Sequence, residues 1–182
     1  MIRMIRAALR RAGDFRRRDD GVASVEFVLV LPLFLTIFMA SFESGLLMTR
    51  NIMLERALDL TVRELRLGTF VNPSHDTIKD AVCGRTVLFE DCSTIMRLEL
   101  TKVSTTTWNL PAADTPCADR DEPIQLLDPL DTGTDNEMML IRACAVFDPI
   151  FPMTGLGLKL KKDAFGGGYA IIARSAFVNE PE

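Results

Sequence analysis

Two hydrophobic patterns follow one another along the chain with no break between them. From Val22 to Phe42 the sequence reads VASVEFVLVLPLFLTIFMASF, 21 residues in which Glu26 is the only charge. As a helix rising 1.5 Å per residue this run spans about 32 Å, close to the ~30 Å of a bilayer interior. Pro32 does not argue against it, because proline is tolerated within membrane helices and kinks them. From Glu43 the pattern becomes amphipathic. Leu46, Leu47, Met53, Leu54, Ala57, Leu58 and Leu65 fall on one side of a helix, and Arg50, Glu55, Arg56, Asp59, Arg63 and Arg66 on the other. Gly68 suits a C-cap. The pattern predicts one long helix over 22–67, or two halves hinged near Ser44–Gly45. The first half serves as an anchor, and the second presents an apolar stripe to a small sheet.

Beyond the helix the period shortens. A loop at Asn72–Pro73 leads to a short helix over 76–83. RLELTKVS at 97–104 alternates, with Leu98 and Leu100 on one face and Glu99 and Thr101 on the other. EMMLIRACAVF at 137–147 and YAIIARSAFV at 169–178 read as two further strands. The Asp-, Pro- and Thr-rich segment 109–136 reads as an exposed excursion stapled by Cys117. The Pro-interrupted apolar segment 148–160 is a short helix or an interfacial loop, and Gly166–Gly168 make a turn before the last strand. The fold class is therefore α+β: a long N-terminal helix packed on a three-stranded antiparallel meander. The organisation is 1–21 a cytoplasmic basic leader, 22–42 a transmembrane helix, 43–68 its amphipathic continuation and 69–182 an exported α+β domain.

Charge sets the direction of this arrangement. Residues 1–20 hold seven Arg and three Asp, so the head carries +4, while the remaining 162 residues carry −8. Arginines before an apolar span and an acidic excess after it place the N-terminus in the cytoplasm and the rest outside, by the positive-inside rule. An ordinary secretory signal fits poorly: the run is long, holds a carboxylate near its start, and no A-x-A site follows. Cys83, Cys92, Cys117 and Cys144 all lie on the exported side. An even number of cysteines in an oxidising compartment pairs as disulfides, and their spacings do not match zinc ligands. Three connectivities are open; short-range closure favours Cys83–Cys92 with Cys117–Cys144.

Glu26 lies five residues past Gly21, which separates the charged RRRDD from the apolar run. A cut after Gly21 would give Val22 a free ammonium, one helical turn from the Glu26 carboxylate, since positions i and i+4 share a face. Within one molecule or between neighbours, the two charges could meet. At these residues the sequence resembles the type IV pilin superfamily, and the Glu26–Phe27 pair followed by VLVLPLFL resembles the TadE-like pseudopilins of the tight-adherence (Flp/Tad) pilus. The closing ARSAFVNEPE is similar to a TadE-like C-terminus. The resemblance implies a site made of Gly21, Val22, Glu26 and Phe27, cut after Gly21 by a prepilin peptidase. It implies a minor pseudopilin of 161 mature residues, in contact with other pilins and the pilus assembly machinery of a bacterial inner membrane. The C-terminal domain would lie in the periplasm.

The chemistry of the remaining residues points away from catalysis. His75, the only histidine, sits in a polar stretch beside Asp76, and no G-x-S-x-G supports a nucleophile. Gly155-Leu156-Gly157 lacks the spacing of a phosphate loop. No metal ligand set and no cofactor motif appears. The exported side carries no basic patch with interleaved aromatics, so nucleic acid is not an expected partner. Trp108 and Tyr169 read as packing or interfacial aromatics. The alternative function is an uncleaved single-pass anchor carrying a periplasmic binding module; a membrane-anchored enzyme comes third.

Overall fold

The apolar run and the amphipathic run form one helix, α1 (Val22–Arg66), in the computed structural model of the chain. The structure describes residues 22–70, 73–112, 115–117, 133–134, 136–153, 155–160, 162–164 and 168–180. Five features of the sequence reading fall wholly or partly outside these residues: the basic leader with Gly21, Asn72, most of the 109–136 excursion, Gly166–Gly167 and the closing Pro181–Glu182. Pro32 sits inside α1 without ending it, and no hinge opens at Ser44–Gly45. The helix stops where Gly68 takes a left-handed conformation (φ 65°). There Gly68 N–H donates to the Leu65 carbonyl and Thr69 N–H to that of Glu64, both at 3.1 Å, a Schellman closure that satisfies the last orphan carbonyls.

Two short helices follow, α2 (His75–Cys83) and α3 (Cys92–Ile95). His75 is therefore the first residue of a helix rather than a loop residue. Ser74 caps it: the serine hydroxyl accepts from Thr77 N–H at 3.2 Å, and the Thr77 hydroxyl accepts from Ser74 N–H at 2.8 Å. Strands β1 (Met96–Val103), β2 (Met138–Phe147) and β3 (Tyr169–Val178) form an antiparallel sheet in the order β1-β2-β3. A five-residue helix, α4 (Gly155–Lys159), interrupts the β2–β3 connection.

Register decides what the sheet can bury. Leu98 pairs with Ala143, Leu100 with Ile141, Ala145 with Ile171 and Phe147 with Tyr169, so these side chains share one face. That face meets Leu54, Ala57, Leu58 and Val62 of α1 and Ile78 and Val82 of α2, all buried. Ala143, Ala145 and Ala173 keep the surface low in its middle. β3 runs parallel to α1: Arg50 reaches Tyr169 at its start, and Arg66 pairs with Glu180 just past its end, at 2.7 Å.

The other face is polar and stapled. Glu99 takes one contact from Arg97 and another from Arg142 across the β1–β2 ladder, both at 3.0 Å. Arg142, nearly fully buried, also donates to the Thr115 carbonyl at 2.7 Å. Cys117 is bonded to Cys144 and packs with Val146, Ala170 and Ile172. This holds residues 115–117 over the back of the sheet. The second disulfide, Cys83–Cys92, ties the end of α2 to the start of α3. The Cα atoms lie 5.7 Å apart in the Cys83–Cys92 pair and 5.6 Å apart in Cys117–Cys144, and these are the two short-range closures.

Candidate functional site

The residues singled out by the sequence lie at the bare start of α1. Val22 opens the helix, and Glu26 stands one turn on, on the same side. Phe27 is 61 % exposed, and Val25, Val28, Leu29 and Val30 are exposed around it. Glu26 is exposed too. Among the described residues it makes no hydrogen bond or ion pair. The helix holds a run long and apolar enough to cross a membrane, and among the described residues the domain touches it only near its end, at Phe42. Phe34 and Phe38 stack along it with ring centroids 6.4 Å apart. An exposed carboxylate on an apolar helix can attract a cation or a hydrogen-bond donor. Gly21, the residue before the proposed cut, lies outside the described residues.

A second carboxylate, at the far end of the apolar run, is handled in the opposite way. Glu43 is 1 % exposed. Its Oε2 accepts from the backbone N–H of Ile150 at 3.0 Å and of Phe151 at 3.2 Å. Its Oε1 is buried with no hydrogen-bond partner among the described residues. Phe42 meets Phe151 edge to face, with centroids 6.3 Å apart. The loop after β2 is thus pinned to the turn of α1 where the apolar run ends.

Two turns further on, Arg50 corrects the sequence reading. The periodicity puts it on the solvent side of α1, but its guanidinium lies 4.4 Å from the centroid of the Phe147 ring and donates to the Tyr169 hydroxyl at 2.9 Å. The buried stripe of α1, extended backwards from Leu54 by steps of three and four, lands on Arg50, Leu47 and Glu43. That extension was the available signal, and the two charges masked it. Burial raises the Tyr169 phenol above its usual range, with the Arg50 hydrogen bond pulling the other way. Tyr169 is therefore a packing residue. Trp108 is 59 % exposed, past the end of β1 that lies farthest from Phe147.

These features define a class of protein: an α+β chain whose N-terminal helix is clad by its own sheet over one half and bare over the other. A family model described as TadE-like protein matches residues 21–63, the bare half together with most of the clad half. This segment is TadE-like, consistent with a TadE-like pilus protein. No curated protein and no solved structure gives a significant match to the chain.

Proposed function

We propose that the protein is a minor pseudopilin, a structural and assembly component of a tight-adherence pilus rather than an enzyme. The observation that carries this reading is an exposed Glu26, without a partner among the described residues, one turn from Val22 on an apolar helix inside the TadE-like segment. The bare half is the membrane anchor, with its N-terminus in the cytoplasm and the sheet domain in the periplasm. A prepilin peptidase hydrolyses the Gly21–Val22 amide. Water is consumed, Gly21 leaves with a carboxylate, and Val22 keeps an ammonium. A charge at the centre of a bilayer costs about 2.5–3.5 kcal/mol on insertion scales. Glu26 near the membrane edge costs less and recovers it by pairing, with its own Val22 ammonium or with that of a neighbouring subunit. Such pairing fixes the depth at which one helix docks beside the next.

N-terminal sequencing of protein extracted from membranes tests the cut. A chain beginning at Val22 supports the pseudopilin, and a chain beginning at Met1 in cells that hold the peptidase supports an uncleaved anchor instead. Glu26→Gln keeps size and loses charge, and the expected result is loss of pilus assembly with the sheet domain intact. Normal piliation in that variant would remove the pairing role.

A further inference from the structure

We infer that residues 149–153 and 155–158 form a second, interfacial contact with lipid, in which Ile150, Met153 and Leu158 dip into the headgroup–acyl boundary of the leaflet where α1 leaves the membrane. The inference rests on the anchor reading of the bare half of α1.

Three observations carry it. The first is height. Glu43 directly follows the apolar run, and it holds the N–H groups of Ile150 and Phe151 at 3.0 and 3.2 Å, while the Phe151 ring meets that of Phe42. The loop is therefore level with the last apolar turn of α1, where hydrocarbon gives way to headgroups. The second is orientation. The backbone turns inward to a buried carboxylate while the apolar side chains turn out: Ile150 is 46 % exposed, Met153 86 % and Leu158 68 %. The third is backbone chemistry. A loop near lipid must satisfy its donors, because an unpaired N–H in an apolar medium costs several kcal/mol. Pro149 and Pro152 have no N–H, and the two residues between them give theirs to Glu43. Four consecutive residues thus offer no free donor to the membrane.

Net charge draws this segment to lipid only weakly: Lys159, Lys161 and Lys162 against Asp148 and Asp163 leave 148–163 at +1. The attraction is apolar, of the kind that seats interfacial segments about 5–10 Å into the boundary. Exposed apolar residues occur at the other end of the sheet too, at Trp108 and Leu110. They lie where β1 has run from Met96, opposite Ala145, to Val103, opposite Met138, away from the loop. They give an internal control.

The test uses the full chain in phosphatidylcholine vesicles doped with lipids brominated at shallow or deep acyl positions. Trp108 is the only tryptophan. In a Trp108→Phe background, single tryptophans are placed by Met153→Trp, by Leu158→Trp and, within the span, by Phe34→Trp. The expected result is strong deep-bromine quenching at 34, and shallow-bromine quenching at 153 and 158 several-fold above that of native Trp108. Quenching at 34 with none at 153 or 158 overturns the interfacial loop and leaves the anchor standing; it is also what a protein partner covering the loop would produce. No quenching at 34 overturns the anchor reading and the loop with it. Two loop positions guard against one variant that fails to fold, and resistance of both disulfides to alkylation reports the fold.

Discussion

Val25–Phe42 and Leu54–Val62 belong to one unbroken helix, yet their side chains meet opposite surroundings. In the first stretch Phe27, Val28, Leu29 and Leu33 are all more than 60 % exposed, whereas in the second Leu54, Ala57 and Leu58 are at 1 % or less. Backbone conformation is the same throughout, so the helix itself does not set the difference. The clad half has a stripe, and a sheet with one apolar face can cover a stripe. The bare half is apolar all round, and the helix-facing surface of a three-stranded sheet is already spent on the other half. Among the described residues almost nothing covers it, and it is long and apolar enough to cross a membrane. The two carboxylates follow the same division: one oxygen of Glu43 is held by the chain's own backbone, while Glu26 meets no partner among the described residues.

The comparison is sharpest at single side chains. Leu58→Ala removes a fully buried side chain and should cost the sheet domain about 3–5 kcal/mol in denaturant unfolding followed by circular dichroism in detergent. Val30→Ala in the bare half should move the same transition by no more than about 0.5 kcal/mol. Equal losses would mean that the halves are not energetically separate. Next in size, replacing Cys117 and Cys144 together by serine should lower stability by about 2–4 kcal/mol while leaving the helicity of the bare half unchanged.

The junction gives a smaller effect. Glu43→Ala leaves two backbone N–H groups unpaired, at about 1–3 kcal/mol, and hydrogen exchange at Ile150 and Phe151 should accelerate accordingly. Glu43→Gln keeps an acceptor oxygen and should lose less. If both variants exchange as slowly as the parent, Glu43 does not hold the loop. The smallest effect lies at alkaline pH. Tyr169 is the only tyrosine, so tyrosinate absorbance reads it alone. Its pKa is raised from 10.0 in the folded chain, chiefly by burial. The stability tied to it is thus complete below pH 10 and declines as pH climbs through the raised value. A folded-state midpoint at or below that of the unfolded chain would contradict the packing described for Tyr169.

Much of the fold was legible because its signals are local. The alternation of 97–104, the β-branched and aromatic runs at 137–147 and 169–178, and the stripe Leu54–Ala57–Leu58 each name an element without reference to any other. Gly68 marked the helix end for a backbone reason. What stayed hidden was long-range and charged. Glu43 looks like the first polar residue after an apolar span, and its burial depends on a loop more than a hundred residues away. Arg50 looks like a solvent residue, and only the ring of Phe147 and the hydroxyl of Tyr169 make its place on the buried side comprehensible. Glu26 was conspicuous as one charge in an apolar run, but a single chain holds no sign of what answers it.

The strand lying along the helix is the last of the three described strands in chain order. Arg50 and Tyr169, which touch, are separated by 119 positions. When ribosomes deliver this polypeptide, the stripe around Leu58 emerges early and α2 can reach it soon after, but the sheet covers it only once β3 has followed, so full closure comes late. A stop codon shortly before Tyr169 would therefore yield an adhesive fragment for quality control to remove, not a smaller working unit.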